Sequence, residues 1–328
     1  MRGIEERIFN INSGTEFDTL ALDIFHLQAA ENPVYAAFLA HLGVNHDTVT
    51  SIADIPFLPI ELFKSHRVIT GSRPPALHFE SSGTTGQLPS RHYLVSEAIY
   101  RESFVRTFTA NYGKPEALCI LALLPSYMER GNASLVYMMD HLTGLSKHPN
   151  SGFYLDDLEG LSAVLQKRKQ DGHATLLLGV SFALLDLAEA FPMELSPNII
   201  VMETGGMKGR RKEMIREELH AILRKAFNTK EIHSEYGMTE LLSQAYAKDG
   251  KRFRPPPWMR VITRDLYDPL TLMPPGRSGG INVIDLANAW SCSFIATGDL
   301  GRVHPGGSFE ITGRFDQAEV RGCNLMVV

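Results

Sequence analysis

The chain is poor in the residues that mark the commonest specialised proteins. Three cysteines, Cys119, Cys292 and Cys323, occur in 328 residues, odd in number and far apart. That excludes a disulfide framework or a cysteine zinc cluster and leaves each cysteine to act as a single thiol. Positive charge is not in excess: a formal net charge of -5 and a pI near 6.2 give no cationic field for nucleic acid or an anionic membrane. Long apolar runs are also missing. The stretch Ala117 to Leu124 is far too short to span a bilayer, and Met1-Arg2-Gly3-Ile4 opens no apolar signal core. The expectation is a soluble, cytoplasmic protein with no membrane span. No internal repeat and no low-complexity tract is visible. There is no Walker loop either, because no Gly-Lys-Ser/Thr follows a glycine-rich run.

What is present is ordinary globular material, 44% hydrophobic and 21% charged, enough for one large or two medium domains. The first 75 residues read as a helical lead-in. Leu20, Ile24 and Leu27 share a face, and Asn32-Pro33 is an N-cap followed by proline at the first helical position, with Gly43 closing that helix. From 76 to 252 apolar strands alternate with helices: a helix capped by Ser96, the strand Ala117 to Leu124, helices Ser134 to Leu142 and Asp156 to Lys169, the strand Thr175 to Leu178, the helix Phe182 to Ala190, the strand Asn198 to Met202 and the helix Arg211 to Phe227. The rhythm predicts an α/β fold with a mainly parallel sheet flanked by helices. Over 253–312 short β-type pieces are punctuated by Pro274-Pro275-Gly276 and Gly279-Gly280, which predicts a small β-rich, barrel-like subdomain. Residues 313–328 form a hinge motif and tail. All four parts are read as one unit.

The organising stretch is Ser81-Ser82-Gly83-Thr84-Thr85-Gly86. Small residues in a row build no core, but hydroxyls and freed backbone N–H groups can converge on an anion, as a polyphosphate site requires. A solvated loop with no ligand has the same composition. Four further clusters stand where an open α/β sheet binds ligands. Glu203-Thr204-Gly205-Gly206 follows a strand, so its glycines let a flat ligand lie against backbone, or simply turn the chain into the next helix. Glu235-Tyr236-Gly237-Met238-Thr239-Glu240 offers an aromatic face, a hydroxyl and a hard oxygen for Mg²⁺; a helix start with an acidic first turn is the plainer reading. Thr297-Gly298-Asp299 puts a carboxylate in a glycine-flanked turn, suited to a ribose diol or to an Asx turn. Gly313-Arg314-Phe315-Asp316 opens a charged stretch whose arginine suits a phosphate, or which is a solvated surface.

Taken in order, Ser-Ser-Gly-Thr-Thr-Gly, Tyr-Gly-Met-Thr-Glu, Thr-Gly-Asp and Gly-Arg-Phe-Asp resemble the motifs of the adenylate-forming superfamily. The match looks closest to phenylacetate-CoA-ligase-like members and, among them, to the short LuxE-type acyl-protein synthetases. The resemblance implies ATP and Mg²⁺ as cofactors. It assigns Ser81, Ser82, Gly83, Thr84, Thr85 and Gly86 to the ATP phosphates, Gly205 and Gly206 to the adenine side, and Tyr236 with Gly237 to the adenine face. Thr239 would touch phosphate, Glu240 would hold the metal, Asp299 would take the ribose hydroxyls, and Arg314 would approach ribose or phosphate. The implied reaction turns a carboxylic acid, by default a fatty acid, into acyl-AMP and passes the acyl group to a protein thiol.

Cys323 fits the acyl-carrying cysteine that LuxE-type proteins have near the C-terminus, and an acyl-accepting or acyl-reducing protein is the expected partner. A small hydrophobe in a packed terminal strand is the other role open to that cysteine. Two features depart from full-length ligases. Gln87-Leu88-Pro89-Ser90-Arg91 replaces the usual Gly-x-Pro-Lys ending of the loop, and those enzymes continue past the hinge for roughly a hundred residues, about the size of a small domain, whereas this sequence ends at Val328. Handing the acyl group to CoA or a carrier protein is the alternative. A rival from another class is a serine hydrolase with Ser181 on a strand-turn-helix elbow, although Ala183 stands where the elbow pattern wants glycine. A non-enzymatic nucleotide-binding protein is a third reading.

Overall fold

The computed structural model describes residues 3–81, 88–125, 132–205 and 214–315. Helices α1 (Ile4–Ile8), α2 (Gly14–Glu31) and α3 (Pro33–His41) open the chain. The Asn32 carbonyl oxygen of the side chain accepts from the N–H groups of Val34 and Tyr35, with Pro33 at the first helical position, which is the capping chemistry the sequence announces. On α2, Leu20 and Ile24 are buried and Leu27 is half-buried.

The lead-in does more than pack. Its short strand β1 (Leu58–Pro59) joins a sheet nearly 240 positions further on by pairing in parallel with Ile295 and Ala296. Buried polar groups reinforce that docking. Gln28 Nε2 donates to the carbonyls of Asn288 and Ala289, Ser293 N–H donates back to Gln28 Oε1, and Asn32 Nδ2 donates to Ser291 O at 2.8 Å.

After helix α4 (Leu62–Ser65) comes a two-stranded hairpin, β2 (Leu77–Glu80) and β3 (Arg91–Leu94), in antiparallel register from Leu77↔Leu94 to Glu80↔Arg91. The organising stretch falls in sequence between these two strands, and only its Ser81 is among the described residues. Helix α5 (Glu97–Tyr112) ends at Gly113 and leads to the first sheet. This sheet contains β4 (Cys119–Leu123), β5 (Gly152–Phe153), β6 (Thr175–Gly179), β7 (Ile199–Glu203), β8 (His233–Tyr236) and β9 (Ala245–Ala247), ordered β5-β4-β6-β7-β8-β9. All neighbours are parallel except β9, which runs antiparallel to β8.

Every residue of β4 and β6 is buried, as expected of strands covered on both faces. The covering helices are α5, α6 (Ser134–Ser146), α7 (Leu158–Asp171), α8 (Ser181–Ala190) and α9 (Arg216–Phe227). Strand β4 begins two residues later than the apolar run suggests, because Pro115–Ala117 forms a 3-10 turn. The expected helix from Arg211 is described only from Arg216 onward.

The second sheet holds β10 (Met259–Arg264), β11 (Leu272–Met273), β12 (Ser278–Asp285), β13 (Phe294–Val303) and β14 (Phe309–Arg314), with β1 on one side of β13 and β14 also paired to it. The expected α/β architecture with an appended β-rich unit is thus present. One detail differs. Thr297-Gly298-Asp299 is not a turn but lies within β13, where the flanking Ala296 and Leu300 pair with β12 across an irregularity and Asp299 pairs with Arg314 of β14. Among the described residues no helix is long and apolar enough to cross a membrane.

Candidate nucleotide site

The ends of the two hairpin strands are joined by a serine pair. Ser81 N–H donates to Ser90 O at 3.0 Å, and Ser90 N–H donates to Ser81 Oγ at 2.9 Å. The pairing thus extends one step beyond the strands. Ser82, Gly83, Thr84, Thr85 and Gly86 lie outside the described residues. Arg91, the cation following this loop, is turned back across the hairpin, with Nε 2.9 Å from Glu80 Oε1.

At the far end of β8 the two sheets meet through one side chain. Tyr236 is buried and donates its hydroxyl to Asp299 Oδ2 at 2.8 Å, while its ring packs edge-on against Phe309 and tilted against Phe253. Burial, then the neighbouring Asp299 charge, raises the phenol well above its ordinary range, so it stays a donor. Asp299 in turn faces Arg314 across the β13–β14 ladder, with Arg314 Nε 3.8 Å from Asp299 Oδ1. One carboxylate therefore ties the tyrosine to the arginine, and the guanidinium keeps about half its side chain in solvent.

Glu240 enters the same neighbourhood. Its carboxyl is buried, and burial raises its pKa; a hydrogen bond from Ser90 and the charge of Arg314 draw it back down, while Asp299 opposes them. Ser90 and the carboxylate expected to hold a metal are therefore in contact. The segment carrying Glu240 is a turn and not the start of a helix. Thr239 stands half-buried in that turn, its carbonyl 2.8 Å from His92 Nδ1. Burial pushes His92 down to about 4, so its ring is neutral near pH 7 and Nδ1 is the donor.

Gly205 follows β7 with φ +70, a left-handed backbone conformation that favours glycine, and its carbonyl accepts from Ser181 N–H at the start of α8. Gly206 lies outside the described residues. At Gly237 a Cβ would stand 2.5 Å from Glu235 Oε1, so that carboxyl would have to shift to admit a side chain.

Two buried carboxylates beside these glycines were not singled out by the sequence reading. Burial alone would raise Glu203. Hydrogen bonds from His220, Ser234 and Gly205 N–H, together with the charge of Arg216 at 3.0 Å, hold it down to about 2. Glu235, on the next strand, accepts a hydrogen bond from Thr204 Oγ1, yet burial and then the Glu203 charge carry it up to about 7. Two carboxyls in neighbouring strands are thus shifted in opposite directions, set by which one has cations. The signal available in the sequence was an acid next to each motif glycine run.

The hydrolase reading fails on geometry. Ser181 is the buried first residue of α8, and the downstream histidines are engaged elsewhere: His220 with Glu203 and Ser234, His233 with Tyr112, and His304 with Glu310. Cys119 and Cys292 are buried and raised by that burial, Cys292 to about 12, which keeps both as thiols. Cys323 lies outside the described residues. Tyr127, Phe153 and Phe182 are apolar side chains that the sequence offers for an acid pocket: Tyr127 lies outside the described residues, Phe182 is buried in the core and Phe153 is half-buried. Among the described residues no three His, Cys, Asp or Glu side chains form a metal centre.

A family model described as "Acyl-protein synthetase, LuxE" matches residues 17–328. The chain belongs to that family. No curated protein sequence matches it. Among solved structures, 2-hydroxyisobutyryl-CoA ligase in complex with 2-HIB-AMP and CoA superposes with a TM-score of 0.65 at 12% identity, over 93% of this chain and 71% of that one. ATP-bound MatB from Rhodopseudomonas palustris gives 0.53 at 17% identity, over 74% and 49%. O-succinylbenzoate coenzyme A synthetase (MenE) from Bacillus subtilis with AMP gives 0.51 at 17% identity, over 74% and 50%. This chain spans about half the length of the latter two. At such identities the likeness is one of fold: the LuxE-family chain has the architecture of the adenylate-forming superfamily.

Proposed function

We propose that this LuxE-family chain activates a carboxylic acid with ATP. A carboxylate oxygen of the acid attacks the α-phosphorus of ATP, the bond from that phosphorus to the bridging oxygen of the β-phosphate breaks, and acyl-AMP and pyrophosphate result. No general base is needed, because the attacking carboxylate is already ionised at neutral pH. Catalysis is then chiefly orientation and charge stabilisation.

The observation that carries this reading is the convergence of Tyr236, Asp299, Arg314 and Glu240 beside the Ser81–Ser90 pair, from both sheets and the hairpin. Asp299 is suited to accept from a ribose diol, Arg314 to meet phosphate, and Thr239 to donate to it. Glu240 suits Mg²⁺, since a buried carboxylate with raised pKa gains from a cation and Mg²⁺ is commonly held by one or two carboxylates plus substrate phosphates. When bound there, the ion would supply charge neutralisation for the departing pyrophosphate. Ser82 to Gly86 and Gly206 keep the roles that the motif resemblance gives them.

For the acyl acceptor, the solved relatives favour CoA: one is named a CoA ligase and holds CoA, and another is named a coenzyme A synthetase. Transfer to a protein thiol rests on the family description and on Cys323. Burial disqualifies Cys119 and Cys292 from that role. A screen of short, long and aromatic carboxylic acids for acid-dependent ATP–pyrophosphate exchange tests the activation step. Absence of exchange with every acid overturns it. Incubation with a labelled acid, with and without CoA, then separates the acceptors. Loss of a hydroxylamine-sensitive protein label in Cys323→Ser, but not in Cys119→Ser or Cys292→Ser, would select the protein thiol; formation of acyl-CoA without protein label would select CoA.

A further inference from the structure

We infer that His92 and Asn288, two buried residues outside the motifs, are positioning residues that fix the Thr239–Glu240 turn by gripping its two successive carbonyl groups. His92 Nδ1 lies 2.8 Å from Thr239 O, and Asn288 Nδ2 donates to Glu240 O at 2.7 Å. A carbonyl oxygen only accepts, so the imidazole proton resides on Nδ1. The inference rests on the adenylation reading of Thr239 and Glu240.

Three features point to a role in orientation. The turn has neither helix nor strand to satisfy its backbone, and buried peptide groups must find partners. Those partners come from elsewhere in the chain: His92 from β3, the second strand of the hairpin, and Asn288 from the 3-10 turn Leu286–Asn288 after β12. Just beyond, Asp285 Oδ2 accepts from the N–H groups of Leu242 and Ser243 at 2.8 and 2.9 Å. The hairpin and the second sheet thus both set where the Glu240 carboxyl and the Thr239 hydroxyl stand.

Polarity at these positions also has a cost that an apolar filler would avoid. His92 and Asn288 are fully buried, line one small pocket and act on each other, yet among the described residues His92 Nε2 and Asn288 Oδ1 have no hydrogen bond of good geometry. The ring of Phe63 packs edge-on to His92 and restricts its orientation. What the two polar side chains supply is the pair of bonds to the turn.

The experiment compares two polar replacements of the histidine. Asparagine keeps a donor near the Nδ1 position, whereas glutamine carries its amide one carbon further and misses Thr239 O. In acid-dependent ATP–pyrophosphate exchange, His92→Gln should raise the KM for MgATP and lower kcat, each by about tenfold, the scale of one lost hydrogen bond. The KM for the acid should hardly move. His92→Asn should stay within about threefold of the parent, at a melting temperature like that of His92→Gln. Asn288→Ala reads the second bond in the same assay and should show the same split.

Parent-like KM and kcat in both His92→Gln and Asn288→Ala would overturn the inference. So would equal losses in the Gln and Asn variants that follow melting temperature, because that is the signature of a structural role alone. A parent that exchanges pyrophosphate with no acid would overturn the adenylation reading and this inference together, whereas exchange by the parent beside unaffected variants overturns the inference alone.

Discussion

The two sheets bring polar chemistry to the site in different ways. In the first sheet β4 and β6 are buried throughout, and the candidate site residues begin where strands stop: Thr204 and Gly205 after β7, and Gly237 to Glu240 after β8. In the second sheet the polar groups are inside the strands. Arg264 in β10, Asn282 in β12 and Thr297 and Asp299 in β13 are all buried. Arg264 donates to Ile281 O, Asn282 Oδ1 and Thr297 O at 2.6 to 2.8 Å, and so holds the strand that presents Asp299. A parallel sheet exposes a crevice at its strand ends. An antiparallel sheet that must present a carboxylate from mid-strand needs an internal polar support, and buried guanidinium is well suited to it.

The largest effect expected from this contrast is on stability. Arg264→Met should abolish the support of the second sheet and take the guanidinium donor from buried Asn282 Oδ1 and Thr297 O, while Ile281 O keeps its bond from Thr297 Oγ1, at a cost of about 3 kcal/mol or more, read by urea unfolding. A loss below about 1 kcal/mol would show that water or a neighbour replaces the guanidinium.

Glu235 tests the first sheet, where a carboxyl is buried behind a strand end. Its pKa stands at about 7 in the folded chain against an ordinary 4.5. Its contribution is therefore fully present below pH 4.5 and is lost as pH rises through 7. Glu235→Gln removes that loss. The variant should gain on the parent between these pH values and remain more stable above them, by on the order of 3 kcal/mol. A difference independent of pH would contradict the assignment. Glu203, held at about 2 by its cations, has the opposite slope: the stability it gives is present above 4.5 and lost as pH falls through 2.

Smallest is the effect on nucleotide affinity. Asp299→Ala should raise the KM for ATP about tenfold, or roughly 1.4 kcal/mol, with a much smaller change in kcat. Because Asp299 also binds Tyr236 and faces Arg314, Tyr236→Phe provides the control. If that variant raises the KM equally, Asp299 acts through the tyrosine and not on the ribose.

Much of this was legible because it is local. The Asn32-Pro33 cap, the apolar strands and the small-residue stretch each declare themselves within a few residues, and the alternation of strands and helices predicted the α/β fold that is present. What escaped depends on contacts across the chain. Nothing in Leu58-Pro59 announces a partner at Ile295 and Ala296. His92 and Arg264 sit in strands whose neighbours are apolar or mixed, so their partners at Thr239 and Ile281 become visible only once the sheets are assembled. Asp299 was selected for its carboxylate but read in the wrong local structure, because two glycines beside an acid suggest a turn, whereas the segment lies within a strand paired to β12 and β14.

The central claim is that groups from both sheets and the hairpin converge to make acyl-AMP around Glu240. The most direct measurement is acid-dependent ATP–pyrophosphate exchange by the parent and by Glu240→Gln, with thermal melting followed alongside. Exchange by the parent with at least one carboxylic acid, reduced by about a hundredfold in the variant at an unchanged melting temperature, is the expected result. Exchange in Glu240→Gln equal to that of the parent would contradict it.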